Sequence, residues 1–210
     1  IRLGALLALR RLGRPEVTEV LQDADPALVR EAAIAINDVP IADGYVALAA
    51  LLDGPTRDEA VLFRALNAHF RLGRPANANA LAAYAARADA PPRARAEALA
   101  QLAQWPKPLQ RDRLVGVYRP TTSPTRDRAV ATSALTPVIP RLFAPGTPAE
   151  VLTAALEAMQ TLELEGATET LLALLRDESR PAASRVAALQ LLDRRQDPRL
   201  AEAVRLAGES

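Results

Sequence analysis

Apolar residues recur along this chain at helical spacing, in blocks that stop and restart at Pro, Gly and Asp. From Arg2 to Leu12 the apolar side is Leu3, Leu6, Leu7 and Leu9. Val61, Leu62, Leu66 and Phe70 repeat the same kind of steps, which place side chains on one face of a helix. The blocks come in pairs. The first pair is predicted at 2–12 and 15–21, with Pro15 opening its second member. Asp23-Ala24-Asp25-Pro26 then resets the chain, because Asp before Pro favours a turn and Pro fits the first position of a helix. Leu28-Val29-Arg30-Glu31-Ala32-Ala33 opens the next helix, Asn37-Asp38-Val39-Pro40 ends it, and residues 43–52 make its partner, up to the stop at Asp53-Gly54-Pro55. A third pair is predicted at 57–72 and 76–88, and a fourth first helix at 93–105.

There the pattern breaks. Pro106, Pro108, Pro120 and Pro124, with Thr121-Thr122-Ser123 among them, crowd the next stretch, and a regular helix does not hold that many prolines. A helix resumes near Arg126, kinked or ended by Pro137 and Pro140, and Ala144-Pro145-Gly146-Thr147-Pro148 reads as a turn. Two pairs follow, at 149–164 with 167–176 and at 182–194 with 199–207. No alternating strand pattern stands out.

Aligned on their first helices, the blocks open at Arg2, Arg30, Leu62, Arg95, Leu152 and Arg185. The period is about 30 residues, and the step from Arg95 to Leu152 is about twice that. Leu12-Gly13-Arg14-Pro15 and Leu72-Gly73-Arg74-Pro75 repeat one string at two helix ends. The expected fold is all-α: antiparallel helix pairs stacked into one superhelical solenoid over residues 1–210, with an irregular insertion at about 105–125. In such arrays each unit buries its apolar face only against its neighbours. Arrays of this kind usually hold partners rather than carry out chemistry.

Composition sharpens this. Half the residues are hydrophobic but only 3% are aromatic, so Ala and Leu carry the apolar content; both are strong helix formers. Net charge is +1, from 26 basic and 25 acidic residues. That balance argues against a dedicated nucleic-acid surface. Every basic residue except Lys107 is Arg. There is no Cys, which excludes disulfides, thiolate metal sites, a catalytic thiol and covalently attached haem within this chain. No apolar run approaches the length that spans a bilayer. The opening residues read as mid-helix, so the sequence is expected to be a piece of a longer protein.

Asp23 to Ala33 approximates Asp-x-x-Pro-x-x-Val-Arg-x-x-Ala and thereby resembles HEAT repeats, which are paired antiparallel helices stacked into a right-handed superhelix. A narrower resemblance lies between residues 29 and 120. Its strings are Arg30 to Ile41 (Arg-Glu-Ala-Ala-Ile-Ala-Ile-Asn-Asp-Val-Pro-Ile), His69-Phe70-Arg71-Leu72-Gly73, Trp105-Pro106, Arg111-Asp112-Arg113 and Tyr118-Arg119-Pro120. They look like the HEAT segment of large dehydrogenase-like proteins of the planctomycete and verrucomicrobial type, secreted or membrane-associated. Those proteins join a β-propeller, a HEAT segment and a c-type cytochrome domain. The resemblance implies a redox parent, periplasmic or membrane-associated, with no redox chemistry in this chain, which has neither propeller strands nor a Cys-x-x-Cys-His haem site.

Candidate chemistry is sparse. His69, the single histidine, cannot build a paired His-Glu metal site and is expected to be structural. Trp105 with Asp112 could serve a base-flipping pocket, but such a pocket needs more aromatics and a basic groove; a core plug at a helix end is favoured. Glu157, Glu163 and Glu165 read as a solvated face, since acid–base catalysis needs two carboxylates in one pocket. No nucleophile elbow or phosphate loop is present. No catalytic residue, cofactor or metal is therefore expected. The residues singled out for protein docking are Trp105, Lys107, Arg111, Asp112, Arg113, Tyr118 and Arg119. Arg and aromatics are enriched at interface hot spots, and long irregular insertions often carry function. Docking predicts that Arg111, Arg113 and Arg119 form an exposed cluster; a plain connector predicts that they are buried against helix ends and acids. The expected partner is a neighbouring domain of the same polypeptide, with no nucleic acid and no membrane insertion. The competing reading is a HEAT-like enzyme acting on nucleic acid or protein.

Overall fold

A computed structural model of the chain describes residues 1–123, 125–164, 168–194 and 196–208. They hold twelve α-helices and no β-strand. The helices are α1 (Arg2–Leu12), α2 (Pro26–Asp38), α3 (Tyr45–Ala49), α4 (Glu59–Leu72), α5 (Pro75–Ala85), α6 (Pro92–Ala103), α7 (Arg128–Leu135), α8 (Ile139–Leu142), α9 (Ala149–Thr161), α10 (Thr168–Arg176), α11 (Ala182–Arg194) and α12 (Leu200–Gly208). Glu165 and Pro124, and the helix start expected at 167, lie outside the described residues.

The sequence stops act by ordinary capping chemistry. Asp25, Asp58 and Asp127 accept hydrogen bonds from the Ala27, Ala60 and Ala129 N–H groups at the starts of α2, α4 and α7, each worth about 0.5–2 kcal/mol. Gly13 and Gly73 end α1 and α4 with φ of 63° and 66°, a left-handed conformation that glycine adopts without strain.

Two stretches expected as single helices are tighter and broken. Residues Pro15–Gln22 form a 3-10 helix, and the partner of α2 is a 3-10 turn at Ala42–Gly44, then α3, then a 3-10 turn at Ala50–Asp53. So few residues between Pro- and Asp-rich stops are too short to repay α-helix nucleation, and i→i+3 bonds satisfy the backbone instead. Gly44 is required here: a Cβ would sit 2.9 Å from Ile36, where the turn presses on α2. Pro137 and Pro140 likewise divide the helix after residue 127 into α7, a 3-10 turn and α8.

The first helices of the pairs pack in chain order: α1 on α2, α2 on α4, α4 on α6, α6 on α9 and α9 on α11. The second helices lie beside them, with α3 against α4, α5 against α6 and α7, α8 against α9, and α10 and α12 against α11. The double-length step between Arg95 and Leu152 holds an irregular segment and two short helices. After α6 comes an irregular excursion at 104–127, then α7, which packs on α5 and α6, and α8, which packs on α9. Ala residues fill the seams: Ala32, Ala65, Ala98 and Ala155 are all fully buried, and such small side chains let helix axes approach closely. The bulk beside them comes from Ile36, Leu66, Leu99 and Leu152, which are also fully buried.

Candidate functional site

The excursion at 104–127 is a strap lying across the C-terminal halves of α2, α4 and α6. It begins at Trp105, which is 1% exposed and meets Phe70 of α4 edge to face at 6.1 Å. The Arg126 guanidinium closes the other end, stacked over the Trp105 ring at 4.7 Å and the Phe70 ring at 5.0 Å. Arg126 donates to the Phe70 carbonyl at 2.7 Å and its N–H donates to the Pro106 carbonyl at 3.0 Å. The two ends of the strap thus share one stack of rings and guanidinium. Burial, and then the nearby charge of Arg71, pull the Arg126 pKa down. Gly73 makes room for it, since a Cβ there would lie 2.8 Å from the guanidinium.

The middle of the strap is a tight ribbon. Arg119 N–H donates to the Gln110 carbonyl and Asp112 N–H to the Val117 carbonyl, which places Arg111 opposite Tyr118 in an isolated antiparallel bridge. Gly116, at φ 69°, makes the turn. Side chains alternate between the faces of such a ribbon. Asp112 and Arg119 turn toward the helices; Arg111 and Tyr118 turn toward solvent.

On the inner face the Asp112 side chain has no exposed surface. Its Oδ1 accepts from the N–H groups of Leu114 at 3.0 Å and Val115 at 3.2 Å. Its Oδ2 accepts from Asn67 Nδ2 at 3.0 Å and Arg119 Nη1 at 3.4 Å, with Arg71 Nη1 at 3.7 Å. Asn67 also donates to Asn37 at 2.8 Å, which links α4 to α2. Arg119 donates to the Asn37 and Asp38 carbonyls at 2.6 and 3.0 Å, a side-chain cap on the C-terminus of α2. Arg113 makes a two-pronged pair with Glu97 of α6 at 2.7 and 2.8 Å and donates to Gln104 at 2.7 Å. A buried charge is tolerated when it is paired and hydrogen-bonded, and here one carboxylate collects donors from α4 and from the strap itself.

The outer face is different. Lys107 and Arg111 are exposed, and Arg111 spends one N–H on the Gly116 carbonyl. Tyr118 is 71% exposed, with Leu109 nearly half so. Pro108, between Lys107 and Leu109, is buried. Of the three arginines expected in an exposed cluster, Arg111 is exposed, whereas Arg113 and Arg119 are drawn inward by Glu97, Asp112 and the α2 carbonyls. Trp105 and Asp112 are likewise buried and hold the strap. The seven singled-out residues therefore divide into four that anchor and three (Lys107, Arg111, Tyr118) that face solvent.

Arg126, Asn67, Asn37, Arg71 and Glu97 complete the site and were not foreseen. Asn67 had a signal: it interrupts an apolar helix face between Leu66 and Ala68, and a polar residue there implies a buried partner.

His69 lies under the same stretch of α4 and is a structural histidine. One ring nitrogen, Nε2, faces the Ala49 carbonyl at 3.1 Å and the other faces Asn77 Nδ2 at 3.0 Å. The tautomer with the proton on Nε2 satisfies both. Burial holds its pKa below the ordinary value. Glu157 and Glu163 are exposed, and Glu163 pairs with Arg128. A cavity of about 490 Å³ opens between the turns at 53–57 and 87–91. Its charges are largely spent on each other: Arg87 pairs with Asp89, and Arg57 donates to the Asp89 carbonyl. Among the described residues no three His, Cys, Asp or Glu side chains gather as metal ligands, and no helix is long and apolar enough to cross a membrane.

No family model, curated protein or solved structure matches this chain.

Proposed function

We propose that the chain is a HEAT-like α-solenoid that acts as a non-catalytic scaffold, docking a neighbouring domain of its own polypeptide through the outer face of the strap. Three things support the solenoid reading: the repeat period, the chain-order packing of first helices, and the placing of second helices beside them. The observation that carries the docking reading is the outer face of the strap. Arg113 and Arg119 are buried against an acid and a helix end, as a connector would have them, so the docking reading rests on the outer face alone. Those buried contacts fix a ribbon whose other side presents Arg111 and Tyr118, with the exposed Lys107 and half-exposed Leu109 in the strap segment leading into it. Fixing a surface before binding lowers the ordering cost of association. The parent is proposed to be a dehydrogenase-like protein of the kind the strings at 29–120 resemble, with its redox cofactors in other domains.

Lys107 is the one lysine in the sequence, so an amine-reactive cross-linker applied to the full-length protein reports directly on the strap. A cross-link from Lys107 to a neighbouring domain is expected. Single-ended modification of Lys107, with no link to another domain, would reject the docking role.

A further inference from the structure

The outer face also carries information about what covers it. The strap holds five cations (Lys107, Arg111, Arg113, Arg119 and Arg126) and two acids, Asp112 and Asp127. Arg113, Arg119 and Arg126 are spent inward on Glu97, the α2 carbonyls and the Phe70 carbonyl. Asp112 is buried with them, and Asp127 caps α7. What is left facing solvent is Lys107, Arg111 and Asp127, the last engaged as the cap of α7, with apolar surface at Leu109 and Tyr118. Resting on the docking role proposed above, we infer that the partner surface is an acidic protein segment: carboxylates that meet Lys107 and Arg111, flanking an apolar side chain that packs on Tyr118 and Leu109.

The chemistry favours protein over nucleic acid. Two cations neutralise two phosphates, and the counterion-release slope that follows is shallow, about −1.4 to −1.8 in log K against log salt. An apolar anchor ringed by charge is instead the composition of a protein interface, where Tyr and Arg supply the central contacts. The bridge pair places Arg111 and Tyr118 on the same face of the ribbon, so one partner segment can reach both.

The probe is a library of random dodecapeptides displayed on phage and panned on the 210-residue chain, with counter-selection on two variants, Tyr118→Ala and Lys107→Glu/Arg111→Glu. Both variants alter exposed side chains, and unchanged circular dichroism would establish that each is folded. Peptides lost on both variants should be rich in Asp and Glu around a Leu, Phe or Tyr, and should bind the charge-reversed chain at least roughly tenfold more weakly, about 1.4 kcal/mol. Lys/Arg-rich counterparts of the same peptides should regain binding to the charge-reversed chain. Peptides that need Tyr118 but show no acidic excess would overturn the acidic partner and leave the docking role standing. Selected peptides indifferent to both variants would overturn it too, while the docking role itself stands or falls on the Lys107 cross-link. Tight binding of a single-stranded oligonucleotide at physiological salt, lost in the charge-reversed chain, would assign the surface to nucleic acid instead.

Discussion

At Asp112 a carboxylate with no exposed surface gathers Asn67, Arg71, Arg119 and two backbone N–H groups. Replacing it with Ala leaves buried cations without their partner, a loss of about 3–5 kcal/mol. Arg111→Ala removes an exposed side chain, and such changes usually stay within about 0.5 kcal/mol. Urea denaturation of the two variants should separate them by several kcal/mol; equal midpoints would show that Asp112 anchors nothing. His69 gives a pH test of the same fold. Its folded pKa is depressed by burial, so the folded chain binds its proton less readily than the unfolded chain does. Its contribution is complete above the ordinary histidine value of about 6.5 and is lost as pH falls from there toward the lower folded value. The melting temperature should therefore drop below about pH 6.5, and His69→Gln should flatten that drop. An identical pH profile in the variant would assign the titration to other groups. Little of this residue-level detail was legible in the sequence. The Arg and aromatic content marked residues 105–120, but nothing in it distinguished Arg111 from Arg119. That sorting depends on which ribbon face meets α2 and α4, a tertiary fact.

The elements were far more legible. Pro26 as a first residue and the Gly13 and Gly73 strings at two helix ends follow from local chemistry, and the helix ends fall within a few residues of where those signals stand. The capping roles of Asp25 and Asp58 were not foreseen, and the helix expected at 57–72 takes in Asp58. Sequence reasoning did less well at Pro15–Gln22 and at 43–52, where apolar spacing reads as a helix but length selects 3-10 geometry. Gly73 shows the two scales meeting. It ends α4 in a left-handed turn and also leaves the space that Arg126 fills. Gly73→Ala should cost about 1–3 kcal/mol, from the positive φ and the collision with the guanidinium. Gly13→Ala has a similar φ but open space around its Cβ, so it should cost about 1 kcal/mol. Thermal melts of the pair test this; equal losses would show that Arg126 moves aside freely and that the ring stack is loose.

For the whole molecule, the packing of α6 directly on α9 means that the strap is laid over the helices rather than inserted between them. The repeat period was visible in the sequence, and so was its doubling after Arg95. That the long step holds a strap and then α7, which packs back on α5, was not, because nothing local shows that contact. The inner face holds the strap to the folded body. Native-state hydrogen exchange tests this attachment most directly. The N–H groups of Asp112, Leu114, Val115, Arg119 and Arg126 each donate to a defined acceptor in or beside the strap. They should exchange only through opening of the α2–α4–α6 region, at rates matching the amides of α4. Exchange of these five at the rate of an unstructured loop, while α4 stays protected, would contradict the account.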